Sequence, residues 1–155
     1  MEIKAELEKP YTDEQRMSFI VEQNHNLGYE IRETETALQA WGYTEEEIAQ
    51  KEAERIAQLH LTRGDVFRGL LLARQVTRAQ IRALIEQMPE ETPEQAMAKE
   101  LALIDFDEAL DFYRGIALVD TLGLALGITE EQMTQFFETN DWHVLIPDSR
   151  NEVQE

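Results

Sequence analysis

The sequence predicts a mainly α protein, a helical bundle of about five or six helices with a small N-terminal strand–helix–strand element of two strands. Three observations carry that prediction. Helix-start signals recur along the chain, apolar residues beyond residue 44 fall at helical spacing, and strand-like alternation is confined to the first 43 residues. Seven of the eleven threonines are followed three residues later by Glu, Gln or Asp: Thr12, Thr36, Thr44, Thr62, Thr77, Thr92 and Thr129. A Thr at the N-cap accepts a hydrogen bond from the backbone N–H three residues on, and an acid or amide there can return one. Chance would supply roughly three such pairs at this composition.

The chain divides into an α+β unit over 1–43, a bundle of capped helical hairpins over 44–140, and an apolar hook with a polar tail over 141–155. In the first unit Ile3, Ala5 and Leu7 alternate with polar residues, and Pro10 ends that strand. Thr12 opens a helix with Gln15 at its third position and Gly28 at a left-handed exit. Met17, Ile20, Val21 and Leu27 lie on or near one face of it. Tyr29 and Ile31 alternate with Glu30 and Arg32, a second strand able to pair with the first. Thr36 to Trp41 reads as a helical turn closed by Gly42.

In the bundle Thr44 starts a helix running to about Leu59 with Ile48, Ala53, Ile56 and Leu59 as its sparse apolar set. Thr62 starts one carrying Val66, Phe67, Leu70 and Leu71. Thr77 starts a third in which Ile81, Leu84, Ile85 and Met88 fall at i, i+3, i+4 and i+7. Thr92, followed by Pro93, opens a helix expected to end near Ile104. Asp105 with Glu108 is read as the cap of another, passing through Leu110, Tyr113 and Ile116 towards Leu126 and closed by Gly127. Thr129 opens the last, with Met133, Phe136 and Phe137. The starts at 76–85 and 128–137 align without gaps, so two similar hairpins can bury their stripes against each other, by duplication or by shared helix-start chemistry alone.

Length and composition bound the function. At 155 residues the chain can bury a core without disulfides or metals, and it has no cysteine for thiolate ligands or thiol nucleophiles. That fits a reducing cytoplasm, and the opening MEIKAELEKP has no signal-peptide character. The longest apolar stretch, Ile116 to Ile128, is 13 residues long and contains Asp120, too short to span a bilayer, so a soluble protein is expected.

The net charge of −18 is uneven: −8 over residues 1–60, +3 over 61–88 and −13 over 89–155. A surface of that sign repels nucleic acid and anionic lipid, so the expected partners are proteins, with a second copy of the chain among them.

No constellation points to catalysis. His25, His60 and His143 lack the i, i+4 spacing of helical metal ligands, and neither a glycine-rich phosphate loop nor a Gly-x-Ser-x-Gly elbow occurs. No cofactor and no enzymatic activity are expected. Asp120, alone in IALVDTLGLALG, is read as structural, either buried against an arginine such as Arg114 or Arg68 or capping a break near Gly123.

Two segments carry candidate contacts. Trp142, Val144, Leu145 and Ile146 form the hook, read as folding back on the core or as a docking peptide or oligomer contact. Arg74, Arg78 and Arg82 stand four apart in the arginine-rich hairpin 63–88, the alternative helix-turn-helix-like reader of nucleic acid. Against that alternative, these arginines have 32 acids to pair with, and the second hairpin would set Glu130 and Glu131 beside phosphates.

The opening EKPYTDEQRMSFIVEQNHNLGYEI, then ETETALQAWGYTEEEIAQ and the later LTRGDVFRGLL, resemble small proteins encoded in phage and prophage tail modules. The likeness covers about the first half of the chain well and the rest loosely. It implies a bacterial or phage origin, expression in the bacterial cytoplasm, and a virion-associated, tail-accessory or assembly role with tail components as partners. It brings no assigned activity and no functional residues.

Overall fold

The computed structural model describes residues 1–147, so the polar tail 148–155 lies outside the described residues. The elements run β1 (Glu2–Glu8), α1 (Asp13–Ile20), β2 (Glu30–Glu33), β3 (Ala37–Gly42), α2 (Glu45–Ala57), β4 (His60–Thr62), α3 (Arg63–Arg74), α4 (Arg78–Glu86), α5 (Pro93–Glu108), β5 (Asp111–Tyr113), α6 (Ala117–Leu126) and α7 (Glu130–Thr139). A π-helical turn (Val21–Asn26) follows α1, and a 3-10 helix (Trp142–Leu145) follows α7. The chain is mainly α, with seven α-helices among the described residues, one of them before the bundle. It separates into two compact units, Met1–Ala53 and the remainder from Glu54, with the division inside α2.

Six of the seven threonine signals start helices. Thr12, Thr77, Thr92 and Thr129 form reciprocal capping boxes with Gln15, Gln80, Gln95 and Gln132. Thr44 and Glu47 exchange the same pair of bonds, at 3.1 and 2.8 Å. Thr62 accepts from the Asp65 N–H at 3.1 Å. Thr36 departs from the pattern. The helical turn expected at Thr36–Trp41 is strand β3, the centre of a three-stranded antiparallel sheet ordered β1-β3-β2.

The two strands expected to pair therefore flank a third instead. Ala-Leu-Gln-Ala-Trp-Gly suits a helix by propensity, but Ala37, Leu38 and Ala40 are buried and β3 is paired on both edges. The bend before it is held by Thr34, whose N–H donates to the Ala37 carbonyl at 2.8 Å and whose hydroxyl accepts from the Ala37 N–H at 3.0 Å. Gly42 leaves room for the Tyr29 ring: a Cβ there would come within 2.8 Å of it and the ring would have to shift. Gly28 exits the first helical segment at φ 76°, as the sequence suggests, but α1 itself has no buried residue, and Met17, Val21 and Leu27 are exposed.

In the second unit the core gathers Leu61, Val66, Phe67, Leu70, Ile81, Ile85, Phe106, Phe112, Leu118, Leu122, Met133, Phe136 and Leu145. Phe67 sits at the middle of an aromatic trio, with ring centroids 5.3 Å from Phe106 and 5.6 Å from Phe112. The continuous helix expected from Asp105 to Leu126 is broken. Helix α5 runs through Asp105 to Glu108, with the Asp105 carbonyl accepting from the Ala109 N–H at 3.2 Å. The chain then forms β5, which pairs antiparallel with β4 so that Phe112 lies opposite Leu61. Burying Phe112 through this ribbon requires a backbone that leaves the helix. Gly115 lets it turn into α6, because a Cβ there would sit 2.8 Å from the Ala57 Cβ.

The two hairpins noted in the sequence are built alike. Gln75 (φ 57°) ends α3 and Gly127 (φ 69°) ends α6, both left-handed. Each is followed by an apolar residue, a capping threonine and a buried residue four positions after that threonine, Ile81 or Met133.

Candidate functional site

The arginines of hairpin 63–88 divide into those committed to the fold and those facing outward. Arg74, in the last turn of α3, is committed. Its Nε donates to the Leu145 carbonyl at 2.6 Å, and its Nη1 donates to the Leu126 carbonyl at 3.0 Å, with Nη2 3.5 Å from the Gly127 carbonyl. Burial pushes this guanidinium down from its ordinary value. Arg82 bonds the Asp107 carboxylate, which raises its pKa, and also reaches Glu86 at 3.2 Å. Arg63 donates to the Asp107 carbonyl at 2.6 Å and lies over the Phe67 ring. Arg68 pairs with Asp65 at 2.8 Å but keeps two thirds of its side chain in solvent. Arg78 is exposed at the first position of α4 and has no ion pair among the described residues. The three arginines four apart thus form no common stripe, since Arg74 and Arg82 are spent on their own chain.

Arg68 and Arg78 both line an open groove at the α3–α4 corner. It has a volume of about 430 Å³ and is lined by Gly64, Phe67, Leu71, Val76 and Thr77 with the two arginines. Among the described residues its lining includes no acid, and neither does the first turn of α4. In a chain of net charge −18 such a place is unusual. Gly64 leaves its wall open, with nothing within 4 Å of where a Cβ would be. One sequence signal points here: Leu70, Leu71 and Leu72 are consecutive, and a helix cannot bury three successive residues on one face. Leu70 is buried, while Leu71 and Leu72 are exposed.

The hook is folded onto the core. Leu145 is fully buried, Trp142 and Val144 pack against the core partly buried, and Ile146 is exposed. Asp141 caps the 3-10 helix by accepting from the His143 N–H at 3.0 Å, and Trp142 stacks on the His143 ring at 3.8 Å. The Ile146 carbonyl accepts from Gln132 Nε2 at 3.4 Å. Of the four hook residues, Ile146 presents the most open surface.

Asp120 and Arg114 exchange the roles expected of them. Arg114 is the buried member, 7% exposed, whereas the Asp120 side chain is 56% exposed. Arg114 Nη1 donates to Asp120 at 2.7 Å and its Nε donates to the Thr134 hydroxyl at 3.2 Å, joining the end of β5 to α6 and α7. The adjoining cavity, about 180 Å³, is lined by Val119, Gly123, Ile128, Thr129 and Met133 with this pair. The Thr129 hydroxyl there is already engaged by the Gln132 N–H.

Among the described residues no group of three or more His, Asp or Glu side chains is placed to hold a metal ion. Among them too, no helix is long and apolar enough to cross a membrane. What fold and site together define is a mainly α protein with an N-terminal three-stranded sheet and an apolar groove lined in part by arginines. Comparison with protein-family models, curated proteins and solved structures gave no significant match.

Proposed function

We propose that this chain is a non-enzymatic interaction protein, and that the groove at the α3–α4 corner receives an acidic segment of a partner protein bearing apolar anchors. The open groove itself carries this reading: Phe67, Leu71 and Val76 line it together with Arg68 and Arg78, in a chain otherwise crowded with carboxylates. Apolar anchors supply affinity in such a site, while the guanidiniums select charge and orientation. The resemblance of the first half of the chain to phage tail-module proteins makes tail components the partners of choice and an accessory or assembly role the setting.

Duplex DNA is the poorer ligand for this surface. Arg63, Arg74 and Arg82 donate within the chain, and the two remaining guanidiniums of the hairpin neutralise few phosphates against so large a negative charge.

The test is affinity capture from a phage-producing lysate with wild-type protein and the Leu71→Asp and Arg78→Glu variants, their folding checked by circular dichroism. Wild type is expected to recover tail or baseplate components that both variants lose. Equal recovery by all three would remove the groove from the account. A duplex-DNA gel shift at moderate salt that Arg78→Glu abolishes would replace the protein partner with nucleic acid.

A further inference from the structure

Helix α5 presents a second surface, independent of the groove. Its inward side is set by Ala102 and Phe106, both buried. On the opposite side Met97, Leu101 and Ile104 are 66%, 55% and 46% exposed. Their i, i+4, i+7 spacing places all three along one stripe of a helix with 3.6 residues per turn. Leaving three large apolar side chains aligned in water is costly, and such a stripe on a helix is the shape that a second helix packs against.

The stripe is bordered by carboxylates. At 3.6 residues per turn Glu94 and Asp105 fall along one flank, Glu100 along the other, and Glu108 extends its end. None of these four has an ion pair among the described residues. The only base within α5, Lys99, is turned away and held by Glu90 at 2.7 Å. Asp107, on the same flank as Glu100, is already bonded to Arg82.

We propose that the outward face of α5 is a docking site for a basic amphipathic helix of a partner protein. Its apolar residues lie on Met97, Leu101 and Ile104, and its Lys or Arg side chains reach Glu94, Glu100, Asp105 and Glu108. Charge chooses this occupant. A second copy of the chain would bring the same four unpaired carboxylates against themselves, with −18 on each molecule, and an anionic membrane surface would meet the same repulsion. A cationic helix removes the repulsion and covers the apolar stripe in one step.

The probes are two synthetic helical peptides with the same leucine stripe, one flanked by Lys and one by Glu, titrated into the full chain at physiological ionic strength by calorimetry. The Lys peptide is expected to bind and the Glu peptide not. Met97→Asp and Leu101→Asp discriminate further, because each adds negative charge while spoiling the stripe. Docking predicts that either weakens the Lys peptide by about tenfold or more, whereas charge attraction alone predicts equal or tighter binding. Leu71→Asp, in the groove, is expected to leave the titration unchanged, so failure of this surface and failure of the groove read separately. The proposal is overturned if the Lys peptide does not bind, if the Asp variants bind it undiminished, or if sedimentation shows a dimer that Leu101→Asp dissolves.

Discussion

Arg74, at the end of α3, donates from Nε to the backbone carbonyl of Leu145, 71 residues further along the chain, at 2.6 Å. Through the same guanidinium it holds the Leu126 carbonyl, at the end of α6. One side chain of the arginine-rich hairpin thus ties down both the turn between α6 and α7 and the hook that follows α7.

Replacing Arg74 by Met should cost about 2 kcal/mol, because charge-assisted bonds are lost and two carbonyls are left to find water. Arg74→Lys should recover only part, since an ammonium cannot reproduce the planar fork. Urea unfolding of the three proteins measures both effects. If Lys restores full stability, the fork is not what matters.

Gly69 lies within α3 directly beneath the ring of Phe136, so that a Cβ there would come within 2.4 Å of the Phe136 Cζ. Alanine is the better helix former by about 1 kcal/mol. Phe136 is fully buried and has little room to retreat, so overpacking of about 1–3 kcal/mol should win. Gly69→Ala is therefore expected to destabilise, and Gly69→Ala with Phe136→Leu to cost less than the sum of the two single changes. A melting series of the four proteins decides this, and a stabilised Gly69→Ala would overturn it.

Asp120 compensates the buried charge of Arg114 from an exposed position, which limits its worth. Asp120→Asn should cost about 1 kcal/mol. In a double-mutant cycle with Arg114→Met, the double variant should be more stable than the two losses added together. Additive losses in chemical denaturation would show that the 2.7 Å pair contributes no coupling.

The bond from His143 holds the Asp141 carboxyl below its ordinary value of 3.8. A carboxyl depressed in the folded state adds stability above its ordinary value and loses it as the pH falls through the depressed one. The hook should accordingly loosen below about pH 4. Trp142, stacked on His143, reports this by fluorescence. Asp141→Asn should flatten the acid limb of that titration, and an unchanged limb would assign it to other groups.

Much of this fold is legible in the sequence, and the places where it is not share one cause. Thr44, Thr62, Thr77, Thr92 and Thr129 mark the starts of their helices because a cap joins a side chain to an N–H three residues away. Thr36 satisfies the same spacing with Gln39, yet Gln39 spends its amide on Glu6, 33 residues earlier, and its carbonyl oxygen on Trp41. Strand β3 exists because β1 and β2 both pair with it, and neither pairing is visible locally. Asp105 likewise satisfies a capping pattern with Glu108, but α5 continues through it and the chain breaks later, where Phe112 must be buried.

The candidate surfaces follow the same division. Charge by segment points to hairpin 63–88 as the one basic region. Which arginine faces outward depends on acids and carbonyls from distant parts of the chain: Asp107 for Arg82, Leu145 and Leu126 for Arg74. The stripe on α5 is apolar by sequence, but its exposure is decided by Ala102 and Phe106 occupying the core-facing side. The six threonine-capped helix starts and the charge by segment were settled by the sequence alone, because each rests on neighbours a few residues apart. The central strand, the outward-facing guanidinium of Arg78 and the open face of α5 were decided by tertiary structure, because each depends on how distant parts of the chain come together when it folds.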